Sequence, residues 1–405
     1  MSHNGVQVGL EALVEDPALV RGRSFAVLAN QAAVTSDLRP AWQALAAAGG
    51  RLARIFAPEH GLWGVAQDME AVGEEREPGL GVPVVSLYGS TAATLAPRAE
   101  HLVGLDALVV DLPDIGCRYY TFAATLAHAM RACEAAGVEV IVCDRPNPIG
   151  GVATEGGAVE PDCRSFVSEL PVPVRHGMTL GELALLLRAE RHPGLSLAVV
   201  PARGWDRRQW WDETGLPWVA PSPNMPTLPA ATVYPGACLV EATNLSEGRG
   251  TTRPFQLVGA PWLDGGALAA RMNALGLAGV RFRATRFRPE FGKHAGRVCG
   301  GVEWHVTDRA ALRPLEVGVR LLATARQFDP ASFAWRRDAY EFVADVPAID
   351  LLTGSPRARA AIEGRGDLAA LLGEWDAYCA DFRRQSGAHL LYAGAAAPTK
   401  SPRQP

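Results

Sequence analysis

Leu105–Cys143 reads LDALVVDLPDIGCRYYTFAATLAHAMRACEAAGVEVIVC. Two apolar runs, Leu105–Val110 and Val138–Cys143, bracket an alanine-rich stretch, Thr121–Ala136, that Gly137 closes. Runs this uniformly apolar are strands buried on both faces, and a strand–helix–strand unit joins parallel strands. Working outward, Ser24–Ala29, Leu52–Phe56 and Val82–Leu87 repeat the signal upstream, with a helix over Asp37–Ala48 stopped by Gly49-Gly50. Strands alternating with helices predict an α/β fold with a parallel sheet covered on both sides.

Ligands of such sheets bind beyond the carboxyl ends of the strands. There the sequence places Asn30, Ala57-Pro58-Glu59-His60-Gly61, Tyr88-Gly89, Asp111-Leu112-Pro113-Asp114-Ile115-Gly116 and Asp144-Arg145-Pro146-Asn147-Pro148. Polar and ionisable residues gather in five separate turns at one edge, which marks a site.

Downstream, Val152–Val172 turns rich in Gly, Pro and acidic residues, and we expect the first α/β domain to span 1–155. A second, mixed α/β domain is expected over 156–392. It has helices at Leu180–Arg191, Leu315–Phe328 and Asp367–Phe382, and a strand at Leu195–Val200. Alternation at Val280–Arg288 and Val302–Val306 predicts half-exposed strands of a mainly antiparallel sheet. Prolines forbid one regular element across Arg203–Ala230. Residues 393–405 are small, polar and Pro-containing, an expected disordered tail.

The 405 residues carry 39 basic and 43 acidic side chains, a near balance that argues against a general nucleic-acid binder. No run approaches the ~18–20 apolar residues of a membrane span. Met1–Val6 has no charged segment leading into an apolar core, so we expect a cytoplasmic protein. Seven cysteines without a Cys-x-x-Cys pair agree with a reducing compartment. The histidines lack ligand spacing, so neither a metal nor a cofactor is expected. Gly-x-Ser-x-Gly and the dinucleotide fingerprint are absent as well. The sequence does not speak to oligomeric state.

Several residues have a chemical and a structural reading. Glu59, presented by a Pro-Glu-His-Gly turn, suits a general acid raised by burial; otherwise it is a loop carboxylate satisfied locally. His60 either aids it or bonds a carbonyl. Asp114 is either the second carboxylate of a glycosidase pair or a helix cap. Arg118 offers a planar fork for a carboxylate or pairs with Asp111 or Asp114. Asp144 and Asn147 in a stiff two-proline loop suit sugar hydroxyls or their own turn. The Glu241–Thr252 run, with Glu241, Asn244, Glu247 and Arg249 among its glycines, either lines a polar pocket or is a solvated connection.

These stretches have a familiar order. Phe56-Ala57-Pro58-Glu59-His60-Gly61, Ser86-Leu87-Tyr88-Gly89 and Asp114-Ile115-Gly116-Cys117-Arg118-Tyr119-Tyr120-Thr121 come first. They are followed by Asp144–Pro148, Arg175-His176-Gly177-Met178-Thr179, Pro221-Ser222-Pro223-Asn224-Met225-Pro226 and Glu241–Thr252. From about Val8 to Phe382 the chain resembles the exo-β-N-acetylmuramidases of bacterial peptidoglycan turnover, glycoside hydrolases once known only as a domain of unknown function. It departs at Pro113, where relatives commonly carry Gln. The resemblance implies a Rossmann-like N-terminal domain, a second α/β domain and a cleft between them. It implies removal of β-1,4-linked N-acetylmuramic acid from non-reducing ends of peptidoglycan-derived glycans. Glu59 becomes the leading catalytic residue, with Asp114 and Tyr119 beside it. Tyr120, His176 and Asn224 fall on matched motifs as substrate contacts, with His60, Asp144, Asn147, Glu241, Asn244 and Glu247. Arg118, Arg145, Arg175 and Arg249 are the cations available to the lactyl carboxylate of muramic acid. The alternative is a non-catalytic muropeptide or sugar-binding protein using the same cleft.

Overall fold

The computed structural model describes residues 5–73 and 75–393. Among the described residues ten strands form two sheets. The first seven are β1 (Ser24–Ala29), β2 (Arg51–Ala57), β3 (Glu75–Arg76), β4 (Pro83–Ser86), β5 (Ala107–Asp111), β6 (Glu139–Cys143) and β7 (Leu197–Val200). They lie in the order β3-β4-β2-β1-β5-β6-β7, and every pair is parallel except β3 with β4. The parallel α/β reading of the first third is therefore correct. The order departs in both directions from β1, so the turns after β1, β2 and β5 diverge over a crevice.

Side chains alternate across this sheet as strand geometry demands. Ala26 and Leu28 of β1 enter one apolar cluster, and Phe25, Val27 and Ala29 enter the cluster on the opposite face. The helix Phe122–Ala136 carries the chain from β5 to β6, and Gly137 ends it in the left-handed conformation at φ 67°.

The sheet continues past residue 155. A second crossover helix, Leu180–Arg191, begins at Thr179, whose side chain accepts the Glu182 N–H, and it delivers β7 beside β6. A parallel neighbour needs such a crossover, so the glycine- and proline-rich change of composition near 155 is an internal connection of the sheet domain. Chain before β1 also returns here, bridging Gln7 to Arg203.

The second sheet contains β8 (Leu257–Ala260), β9 (Val280–Phe287) and β10 (Cys299–Val306), antiparallel in the order β8-β10-β9 as the alternation implies. The helix Gly265–Ala274 packs on this sheet, and Pro314–Phe328 packs on that helix and on Leu228–Ala237. One apolar cluster runs from Leu28 and Phe56 of the first sheet through Tyr234 and Leu239 to Val258 and Val302 of the second. The two halves thus share a core, and the crevice at the strand ends is roofed by the second half. Of the tail expected over 393–405, residues 394–405 lie outside the described residues.

Candidate active site

Pro58-Glu59-His60-Gly61 leaves β2 at its carboxyl end. His60 and Gly61 are both left-handed, at φ 71° and 79°. For a non-glycine residue this costs of order 1 kcal/mol or more and persists only when the surroundings impose it. Here the His60 Nδ1 sits 2.9 Å from the Ala66 carbonyl and the His60 carbonyl accepts from the Ala66 N–H. The turn presents Glu59, 5% exposed, to the crevice. Thr121, at the start of the helix after β5, donates its hydroxyl to Glu59 Oε2 at 2.6 Å, and the Met69 N–H donates to Oε1 at 3.3 Å.

The pocket around Glu59 is walled by aromatic rings. Tyr119 and Tyr120 each meet Tyr234, with centroids 5.8 and 5.9 Å away, and Tyr234 meets Phe255 at 4.8 Å. The rest of the lining includes polar residues: Asp68, Ser222, Asn224, Glu241, Arg249, Tyr340 and Glu341. Arg249, between the left-handed Gly248 and Gly250, lies 2.7 Å from Glu241, 3.3 Å from Asp68 and 3.5 Å from Glu247. Its guanidinium faces the Phe255 ring at 5.1 Å. Burial opposes its charge, but the three carboxylates outweigh burial and hold its pKa raised. Lys293 takes the other Glu247 oxygen at 3.0 Å, and Tyr340 donates to Glu241 at 2.7 Å. Burial, reinforced by Asp68 and Glu247, pushes the Glu241 carboxyl up against the pull of Arg249.

Glu341 comes from a two-residue turn. Tyr340 and Val343 exchange both backbone hydrogen bonds, and Glu341 and Phe342 between them are left-handed at φ 47° and 69°. Turns of this kind usually take Asn-Gly, so Glu-Phe here is a strained choice. Tyr88, just beyond β4, donates to Glu341 Oε2 at 2.8 Å and packs on Phe342 at 5.5 Å. Burial first, then the charge of Glu59, pushes Glu341 well above the ordinary carboxylate range.

The expected residues separate into two groups. Glu59, His60, Tyr119, Tyr120, Asn224, Glu241 and Arg249 line one pocket, with Glu247 behind Arg249. Asn224 holds Gln67 at its rim at 2.9 Å. Burial keeps the Tyr120 hydroxyl protonated and available. Tyr119 contributes its ring alone, because its hydroxyl donates to the Pro235 carbonyl.

The other group stands elsewhere. Asp114 accepts the Gly116 N–H at 2.7 Å, lies 3.4 Å from His176, and faces a separate apolar hollow with Trp211 and Trp218. It does not line the pocket that holds Glu59. His176 accepts from the Met178 N–H through Nδ1, which leaves Nε2 toward Asp114. Arg118 is fully buried and donates to the carbonyls of Gly157, Val172 and Leu352. Asp144 accepts from Thr179, Gly181 N–H and Tyr392, and Asn147 bonds Met178 and Ile149. Asn244 ties Ser332 to Ala334. Apart from the Asp114–His176 contact and the hydroxyls that Asp144 takes from Thr179 and Tyr392, these polar groups are spent on backbone, whose buried donors and acceptors must be satisfied. Arg145 is bound to Asp111 and Arg175 to Glu155.

Sequence reasoning gave no role to Asp68, Tyr88, Thr121, Ser222, Tyr340 and Glu341. Tyr88 carried the strand-end signal. Glu341 lies in irregular chain without periodicity and had none. Among the described residues no His, Cys, Asp or Glu group is arranged to hold a metal, and no helix is long and apolar enough to cross a membrane.

Residues 25–229 and 232–392 match the models for exo-beta-N-acetylmuramidase NamZ, N-terminal and C-terminal. The chain is 38% identical over 389 residues to the peptidoglycan beta-N-acetylmuramidase NamZ of Bacillus subtilis, covering 96% of this chain and 91% of that one. Two crystal structures of DUF1343 family proteins from Bacteroides fragilis are similar in fold. One has a TM-score of 0.86 at 32% identity, the other 0.73 at 27%, each covering 96% of this chain and 99% of its own.

Proposed function

Because the chain belongs to the exo-beta-N-acetylmuramidase NamZ family of glycosidases, we propose that it removes β-1,4-linked N-acetylmuramic acid from the non-reducing ends of peptidoglycan fragments during cell-wall turnover. The observation that carries this reading is Glu59, held by Thr121 and Met69 at the floor of a pocket walled by tyrosines and Phe255. Aromatic faces suit the apolar faces of a sugar ring. Glu59 protonates the glycosidic oxygen as the sugar carbon gains oxocarbenium character. Of the four arginines expected for the lactyl carboxylate, Arg249 alone lines this pocket, and we assign it that contact. The seven cysteines are all free thiols, which supports work in a reducing compartment such as the cytoplasm.

The test is release of nitrophenol from para-nitrophenyl β-N-acetylmuramide, with the N-acetylglucosaminide beside it. Turnover of the muramide alone is expected, and Glu59→Gln abolishes cleavage of a muramyl disaccharide with melting nearly unchanged. The nitrophenyl substrate, whose leaving group needs little protonation, loses less. Binding of the muramide without turnover by the wild type refutes the hydrolase and leaves a sugar-binding protein.

A further inference from the structure

A glycosidase needs a second group opposite its acid, and Asp114, the residue expected there, faces a different hollow. We propose that Glu341 is the second catalytic carboxyl, the base that takes the proton of the water attacking the sugar carbon. The inference rests on the hydrolase reading.

Four observations point to Glu341. It lines the pocket with Glu59. It is 7% exposed, has no cation within ion-pair distance among the described residues, and is bonded by the Tyr88 hydroxyl. Its backbone is left-handed in a turn that ordinarily selects Asn-Gly. Finally, every other carboxylate around the pocket has an evident task. Asp68, Glu241 and Glu247 surround Arg249, and Glu59 receives Thr121 and Met69. A buried carboxylate with no counter-cation is costly, and a strained backbone that aims it at the reacting pocket is explained by chemistry.

The groups facing Glu341 decide its proton affinity. Glu59 comes from the turn after β2, Asp68 from the following loop and Tyr88 from the end of β4. Glu241 lies beyond the helix Leu228–Ala237, with Tyr340 next in the chain and Arg249 across the pocket. Burial and the three negative neighbours raise Glu341, and the Tyr88 hydroxyl lowers it. A carboxylate of raised proton affinity is a better base near neutral pH. In the proposed step Glu59 enters carrying one proton and Glu341 enters as the carboxylate. That proton passes from Glu59 to the leaving oxygen as the glycosidic C–O bond breaks. The oxygen of water bonds to the sugar carbon, and its proton goes to Glu341. The pair ends with its proton moved from Glu59 to Glu341, and exchange with solvent restores it.

The experiment is kinetic, on nitrophenyl muramide, which minimises dependence on Glu59. Glu341→Ala is expected to lower kcat by about 100-fold or more, with KM changed by less than about threefold. Sodium azide is expected to restore turnover at least about tenfold with muramyl azide as product, the anion bonding to the sugar carbon without a base. Retained kcat, a loss confined to KM, or failure of azide overturns the proposal. Should Glu341→Ala not fold, Tyr88→Phe decides. It keeps the carboxyl and removes the donor that stabilises its charge, so the acid limb of the kcat profile moves to higher pH. An unmoved limb overturns the assignment. Inactive wild type on the same substrate overturns the hydrolase reading instead, so the two failures are distinguishable.

Discussion

Arg118→Met separates a substrate ligand from a structural pillar. The guanidinium reaches the Gly157 carbonyl at 2.9 Å, Val172 at 2.8 Å and Leu352 at 3.0 Å, drawing together three segments distant in sequence. Methionine fills a similar length without a donor. Three buried carbonyls then lose their partner, at about 1–3 kcal/mol each. The upper end does not apply, because removing the guanidinium also removes the burial cost that lowers its own pKa and water can follow into the gap. A net loss of about 3 kcal/mol remains. At roughly 2–4 °C per kcal/mol for domains of 150–250 residues, melting falls by on the order of 10 °C. Calorimetry of both proteins, with kcat and KM for the muramide measured well below the lower transition, checks this. Per folded molecule the kinetic constants should be unchanged. A variant that melts within about 2 °C of wild type while KM rises tenfold would refute the reasoning and return Arg118 to the substrate.

Three further outcomes follow from the site and its supports. Thr121→Val removes the hydroxyl donated to Glu59 and should lower kcat about tenfold, equal to 1.4 kcal/mol, with little change in melting; full activity would sever the link. Arg249→Lys keeps the charge but not the fork, and should raise KM for the muramide about tenfold while leaving binding of the glucosaminide unaltered; equal effects on both sugars would deny Arg249 the lactyl contact. Asp144 is pushed up by burial to about 6, against the hydrogen bonds from Tyr392, Thr179 and Gly181. A carboxyl raised above its unfolded value of 3.8 gives stability fully present below that value and lost as pH rises through about 6. The stability difference between wild type and Asp144→Asn should therefore fall between pH 4 and 6, by up to roughly 3 kcal/mol, in denaturant unfolding. A flat difference would refute this.

The sheet domain was legible because buried parallel strands write themselves as apolar runs, as in β1, β5 and β6. β7 was assigned to the second domain because its only signal, Leu195–Val200, follows a composition change that turned out to lie inside the sheet domain. For the site, strand-end topology located Glu59 and its crevice. It could not tell Arg249, which faces the pocket, from Arg118, which is spent on carbonyls, since both are arginines in polar loops. That choice depends on which backbone groups burial leaves unsatisfied. Glu341 was invisible for another reason: a two-residue turn in irregular chain has no period to detect.

The end of the described chain returns to the first sheet. Leu391 donates its N–H to Glu182, and Tyr392 donates to Asp144 at the tip of β6 while its oxygen accepts the Ala202 N–H. Synthesis makes β6 well before Tyr392, so the nascent sheet first emerges with Asp144 one donor short and Ala202 without its acceptor. Its last bonds close only when residue 392 has emerged, and a chain cut short at 390 carries its defect in the oldest part of the molecule.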